Sequence, residues 1–168
     1  AIRRILSTSF GGGGTADVIN TATGAVVLHF TTIFDMGWPV FAPSNNTFWI
    51  QALNTDALKK HDSNGVLLAT VTPAPGSSFN APMSYEPNTG KIYAIPSQAN
   101  YIIYEINPAT NAVVVGLNLG VGGGFFAVFS TPGKLFVAGI PPVGSGSIFD
   151  IYSVPGYAHI GSFNTAVP

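Results

Sequence analysis

No cysteine occurs among the 168 residues. That excludes disulfides, cysteine-bound zinc and thiol chemistry. Charge is nearly as scarce: six Lys and Arg face seven Asp and Glu, 8% of the chain, against about a quarter in ordinary proteins. The formal net charge of −1 gives no electrostatic footprint for nucleic acid or an anionic membrane. Basic residues adjoin only at Arg3-Arg4 and Lys59-Lys60, pairs that read as solvated. No apolar run nears the ~18 residues of a membrane-spanning helix. The missing cysteine leaves the compartment open. Low charge with abundant Ser, Thr, Asn and Gly suggests a secreted, cell-surface or virion protein. The chain opens at Ala1 without Met or signal peptide and reads as a mature product or a fragment.

What is present belongs to strands and turns. Apolar residues make up 46% of the chain, and 20 Gly and 13 Pro punctuate it. Val, Ile, Phe and Tyr dominate the apolar set, and Ser, Thr and Asn the polar one, which favours pleated sheet and tight turns over helix. The length is that of one domain with a real core.

The stretch SYEPNTGKIYAI (Ser84 to Ile95) sets a Pro-Asn-Thr-Gly turn between two apolar runs and reads as a hairpin. Hairpins of the same kind are VFAPSNNTFWI from Val40 and AVFSTPGKLFVAG from Ala127, and Phe41, Tyr85 and Phe129 recur at a spacing of 44. Thr47, Lys91 and Lys134 follow the turn each time, and counting back from Thr47 lands on Arg3. A second series of turns lies between, centred on Gly24, Gly65, Asn111 and Gly156 at spacings of 41, 46 and 45. Gly and Asn suit these places because they tolerate positive φ. One unit then holds four strands: Ala127 to Ser130, Lys134 to Ala138, Ile148 to Ser153 and Tyr157 to Phe163. Antiparallel units of this size are propeller blades, each of which buries its two faces only against neighbours. The expected fold is all-β: a β-propeller of about four four-stranded blades, about 44 residues each, the first lacking its opening strand. Residues 1–168 form one propeller or propeller segment, with approximate units 1–40, 41–84, 85–128 and 129–168.

YEINPATNAVVVGLNLG followed by AVFSTPGKLFVAG resembles the YVTN-type β-propeller repeat. In that repeat an Asp- or Asn-centred turn precedes "VV", and a Pro-Asp-Gly-Lys hairpin precedes a strand. The likeness extends over nearly all the chain at repeat level and is weakest at ALKKHDSNG. The family's hairpin Asp is absent from PSNNT, PNTGK and TPGK. The resemblance implies a propeller scaffold and no particular activity.

About fifteen strands are expected, one short of four full blades. Three readings follow: part of a longer protein with more blades, a chain completed by another copy or another polypeptide, or a closed four-bladed ring with one incomplete blade. An open end exposes apolar surface and unpaired edges, so association is expected.

Candidates for chemistry are few. His29, His61 and His159 fall in different units and do not converge as metal ligands must. The carboxylates are Asp17, Asp35, Asp56, Asp62, Glu86, Glu105 and Asp150. Glu105 and Asp150 share a repeat position, six before the turn, where Val18 and Lys59 stand in the other copies; there they are expected to face solvent. No facing pair for glycoside chemistry is visible. Gly11 to Gly14 and Gly120 to Gly124 lack the Lys-Ser/Thr and helix of a phosphate loop. Gly144 to Ser147 lacks the setting of a nucleophile elbow. Asn45-Asn46-Thr47 matches a glycosylation acceptor. No catalytic residue, metal ligand or cofactor is assigned.

The loops expected on one propeller rim carry Phe10, Phe34, Asp35, Trp38, Asp56, Phe79, Asn80, Gln98, Asn100 and Phe125. Aromatic rings beside amides and carboxylates can stack on a sugar and bond its hydroxyls. The competing reading makes Trp38, Phe79 and Phe125 ordinary wedges between blades. The expected function is a non-enzymatic structural or binding module, extracellular, on a cell surface or on a virion, recognising a glycan or protein through this rim. One alternative is a propeller hydrolase or lyase with its site near the ring axis. Another is a virion or filament subunit assembling through exposed blade edges. Expected partners are itself, further blades of a longer chain, or a glycan or protein ligand, without nucleic acid or a membrane span.

Overall fold

The computed structural model describes residues 4–8, 14–31, 36–52, 57–72, 82–95, 102–119, 125–139 and 147–165. These hold fifteen strands in four antiparallel sheets and no helix. The chain divides into two compact units, Ala1–Asn80 and Ala81–Pro168. In the first unit, β1 (Arg4–Thr8), β2 (Thr15–Asn20) and β3 (Val26–Thr31) form one sheet. Its second sheet is β4 (Met36–Ala42), β5 (Thr47–Ala52), β6 (Leu58–His61) and β7 (Leu67–Val71). The second unit opens with β8 (Ser84–Glu86), β9 (Lys91–Ala94), β10 (Ile102–Ile106) and β11 (Val113–Asn118). Its other sheet is β12 (Phe125–Thr131), β13 (Lys134–Gly139), β14 (Ser147–Ser153) and β15 (His159–Thr165). Within every sheet the strands lie in chain order. Four such meanders, the first without an opening strand, are the propeller blade pattern expected from the repeat.

Local chemistry explains the hairpins. The turn residues Gly24, Gly65, Asn111 and Gly156 all have positive φ, at 70°, 81°, 63° and 106°. Each of these turns also begins with a side chain that accepts backbone N–H groups. Asn20 Oδ1 accepts from Ala22 N at 2.9 Å, Asp62 Oδ1 from Asn64 N at 2.8 Å, and Asn107 Oδ1 from Ala109 N at 2.9 Å. Ser153 Oγ accepts from Ala158 N at 3.1 Å. Such side chains replace the backbone partner that a turn leaves out.

The four sheets share one register. Leu6 pairs with Val18, Ile50 with Lys59, Tyr93 with Glu105 and Val137 with Asp150. β1 therefore stands in the place of a second strand. The outermost strands share a feature that the repeat did not announce. Against its neighbour each slips by one residue, so that Val27, Leu68, Gly116 and Ile160 are surplus. A bulge of this kind bends and twists an edge.

The second strand β5 is covered on both faces and reads as a near-continuous apolar run: every residue of it, TFWIQA, is buried. In the first unit, Ala16 and Val18 of β2 pack with Phe48 and Ile50 of β5, flanked by Leu28, Phe30 and Phe41. In the second unit, Tyr93, Ile95 and Ile103 pack with Val128, Leu135, Val137 and Val154. Each fully buried aliphatic side chain contributes about 1.5–3 kcal/mol, and a lone sheet would leave both of its faces in water. That is the physical reason the module recurs.

Candidate functional site

Of the rim residues expected from sequence, Phe10, Phe34, Asp35, Asp56, Phe79, Asn80, Gln98 and Asn100 lie outside the described residues. The other two are in strands rather than loops. Phe125 opens β12, where it pairs with Gly139. Trp38 lies within β4, at a point where the register jumps from Met36 opposite Ala52 to Pro39 opposite Ile50. Two residues, Gly37 and Trp38, thus oppose the single Gln51. The bulge turns the indole outward, and Trp38 is 42% exposed whereas Trp49 on the paired strand is 0% exposed. Trp38 is therefore not an ordinary buried wedge. Strand was missed at both positions because Gly37 and Pro39 around Trp38, and the glycines before Phe125, read as loop chemistry.

The histidines stay separate, each with local partners. His29 Nδ1 meets Asp17 Oδ1 across the β2–β3 pair at 2.6 Å, both exposed. His159 Nε2 meets Asp150 Oδ1 at 3.2 Å and Ser162 Oγ at 3.0 Å, and the Ser162 hydroxyl donates to Asp150 at 2.5 Å. This trio is not arranged as a hydrolytic triad. Carboxylate and hydroxyl share one ring nitrogen, whereas nucleophilic relay needs one on each. His61 is buried on β6, its Nδ1–H donating to the Gly65 carbonyl at 3.0 Å and its ring 5.4 Å from that of Phe30. Burial holds its pKa below the ordinary histidine value because the charged form is poorly solvated there. Among the described residues no three His or carboxylate side chains converge as metal ligands.

Two carboxylates behave differently from the sequence expectation. Glu105 does not simply face solvent. Its Oε2 accepts from the Tyr157 hydroxyl of the next sheet at 2.6 Å, and its Oε1 lies 3.3 Å from Lys91 Nζ. Burial first, then the bonds to Glu105 and Tyr93, raise the Tyr157 pKa far above its ordinary value, so this hydroxyl stays a donor. Asp150, at the same register position, is drawn into the His159 and Ser162 contacts instead. Both are half-buried because the neighbouring strands carry polar partners directly opposite.

Glu86, at the end of β8, was not singled out by sequence, yet it is fully buried. Its Oε1 accepts from Asn88 N at 3.0 Å and from Gly133 N of the adjacent sheet's hairpin at 2.8 Å. Its Oε2 accepts from Thr89 N at 2.7 Å. Desolvation pushes its pKa up, but these bonds outweigh it and hold the carboxyl below the usual value, as donors to a carboxylate do. Beside it, Ser130 Oγ donates to the Tyr85 carbonyl and Ser130 N to Ser84 Oγ, at 2.7 and 2.9 Å. This cluster ties two sheets; it is structural. The sequence signal was slight: a Glu where the other copies carry Ala42 and Ser130.

No protein-family model and no curated protein sequence matches the chain. Solved structures do. Hydrazine synthase of Kuenenia stuttgartiensis is similar with a TM-score of 0.70 and 11% identity, over 94% of this chain and 47% of that one. U3-55K gives 0.71 and 11% over 96% and 48%. Saccharomyces cerevisiae Sqt1 gives 0.66 and 12% over 95% and 43%. The chain spans about half the length of these structures. Their shared architecture, with the four sheets described above, gives this chain the β-propeller fold.

Proposed function

We propose that the chain is a binding module whose loop rim recognises a glycan or a protein partner on a cell surface, on a virion or outside the cell, and that its repeats are of the YVTN type. The observation that carries the reading is Trp38, an indole brought to the surface by the β4 bulge and 42% exposed. Large aromatic surface of this kind stacks on sugar rings or anchors a partner. The surface placement follows from the low charge and the Ser, Thr and Asn content. The YVTN assignment is supported by the Asn111 turn before Val113-Val114 and by the Pro132-Gly133-Lys134 hairpin.

The chain has two tryptophans, and Trp49 is 0% exposed, so ligand-dependent fluorescence reports on Trp38. The test is a glycan array with the intact protein, followed by fluorescence titration of any hit. Binding with a shifted emission, weakened about tenfold or more in Trp38→Ala, supports the reading. An intact protein that binds no glycan removes the sugar reading.

A second reading is assembly through the outer strands. It is favoured by the exposed apolar pairs Val26 and Val27, Leu67 and Leu68, and Val114 and Val115. No Lys, Arg, Asp or Glu stands on β3, β7, β11 or β15.

A further inference from the structure

We propose that Asn64-Gly65 is a site of spontaneous covalent modification, where loss of the Asn64 side-chain amide converts the backbone to an isoaspartyl link and unfastens the β6–β7 turn from His61 and Phe30. The proposal does not rest on the loop-rim reading.

Asn64 is exposed at the tip of the β6–β7 hairpin and directly precedes Gly65. This is the chain's one Asn-Gly pair, and every other asparagine is followed by a residue with a Cβ. The difference matters because the main-chain nitrogen of the following residue must reach the asparagine carboxamide. Only glycine leaves that approach unshielded. The other second-series turns carry Thr23, Thr110 and Pro155 in the place of Asn64, and none of these has a side-chain carbonyl.

The step is a ring closure. Gly65 N bonds to Asn64 Cγ, the Cγ–Nδ2 bond breaks, and ammonia leaves with the proton that Gly65 N sheds. Water then opens the five-membered imide. Opening at Cγ gives an aspartyl residue with the ordinary backbone. Opening at the Asn64 main-chain carbonyl leaves the backbone running through Cβ and Cγ, longer by one atom. Water is the sole co-reactant, and nothing is oxidised or reduced. In the closed turn Gly65 N donates to the Asp62 carbonyl at 3.1 Å, and Asp62 Oδ1 accepts from Asn64 N and Val66 N at 2.8 and 2.9 Å. The reaction therefore proceeds through brief openings of the turn, which an exposed hairpin tip readily undergoes.

A lengthened backbone has consequences here that it would lack in a free loop. The Gly65 carbonyl accepts from His61 Nδ1–H at 3.0 Å. Gly65 also lies so close to Phe30 that a Cβ on it would be 2.9 Å from the ring. Phe30 in turn faces the His61 ring at 5.4 Å. Gly65 holds both contacts at a φ of 81°. An extra atom at residue 64 shifts Gly65 and breaks one contact or both.

The test ages the full chain in mildly alkaline heavy-oxygen water at physiological temperature, and peptide mapping locates the oxygen gained. Asn64 is expected to convert about tenfold or more faster than any other asparagine. Asn64→Gln should stay unmodified at that position, because its ring would need a sixth member. Ion exchange then isolates the converted protein, and isoaspartyl methyltransferase tells the isoaspartyl form from the aspartyl one. The isoaspartyl form should melt about 4 °C or more below the fresh chain, whereas Asn64→Asp, which adds the charge without the extra atom, should stay within about 2 °C of it. Asn64 lasting as long as the other asparagines would overturn the proposal. So would an isoaspartyl form that melts with the fresh chain, or one that melts with Asn64→Asp, which would assign the effect to charge.

Discussion

At the scale of single residues, the buried carboxylate of Glu86 has the largest consequence. Replacing it with Ala strands the N–H groups of Asn88, Thr89 and Gly133, two at the turn and one on the adjacent sheet. The expected loss is about 3 kcal/mol, with Glu86→Gln costing less because it keeps one acceptor. Denaturant titration of the variants at neutral pH checks this. The folded-state pKa of Glu86 lies below its ordinary 4.5. Its contribution is therefore present above that value and lost as pH falls below it. His61 titrates in a different window with the same sense. Its folded pKa lies below 6.5, and its buried Nε2 has no hydrogen-bond partner among the described residues. Stability should be full above about pH 6.5 and decline as His61 is forced to charge below it. The nearby charges are Asp62, which opposes the shift, and Lys59, which adds to it. Denaturation midpoints between about pH 7.5 and about pH 5 should slope in the native chain and flatten in His61→Gln; equal slopes would refute the assignment. Neither residue was legible as important. The weight of Glu86 comes from Gly133, 47 positions away, and that of His61 from Phe30 on another sheet.

At the scale of strands and turns, far more was readable. A tight hairpin needs positive φ at a fixed place, and that local demand selects Gly or Asn whatever the surroundings. All four second-series turns were found this way, and strand Lys134 to Ala138 matches β13 closely. The strand expected from Tyr157 begins instead at His159, because Tyr157 itself has φ of 54°. Two turn glycines that look equivalent in sequence differ in space. A Cβ on Gly24 would meet nothing within 4 Å, whereas one on Gly65 would lie 2.9 Å from the Phe30 ring. Both have positive φ. Gly24→Ala is thus expected to cost about 1 kcal/mol from conformation alone, and Gly65→Ala about 2–3 kcal/mol with the steric clash added. Thermal melts of the two variants side by side decide it; equal shifts would mean Phe30 yields freely. The bulges were invisible because a surplus residue in an outer strand changes neither composition nor turn spacing.

At the scale of the whole chain, the repeat established sheets that bury their faces by stacking, and each unit has its own apolar cluster. The rim was not legible to the same degree. Its polar and aromatic residues depend on loop placement rather than on periodicity, and the indole of Trp38 reaches the surface through a strand irregularity. If the uncharged outer strands drive assembly, Val27→Lys with Leu68→Lys should reduce the sedimenting mass while leaving the melting temperature within a few degrees, since both side chains are about half exposed. Unchanged mass would point away from those strands. The surplus residues Val27, Leu68, Gly116 and Ile160 also carry a warning for anyone editing this chain. Excising one would straighten its ribbon into a flat, neutral, sticky border, the geometry that seeds cross-β fibrils. Shortened variants of this sort should brighten thioflavin on standing, although the deletion removes a residue that the core never needed.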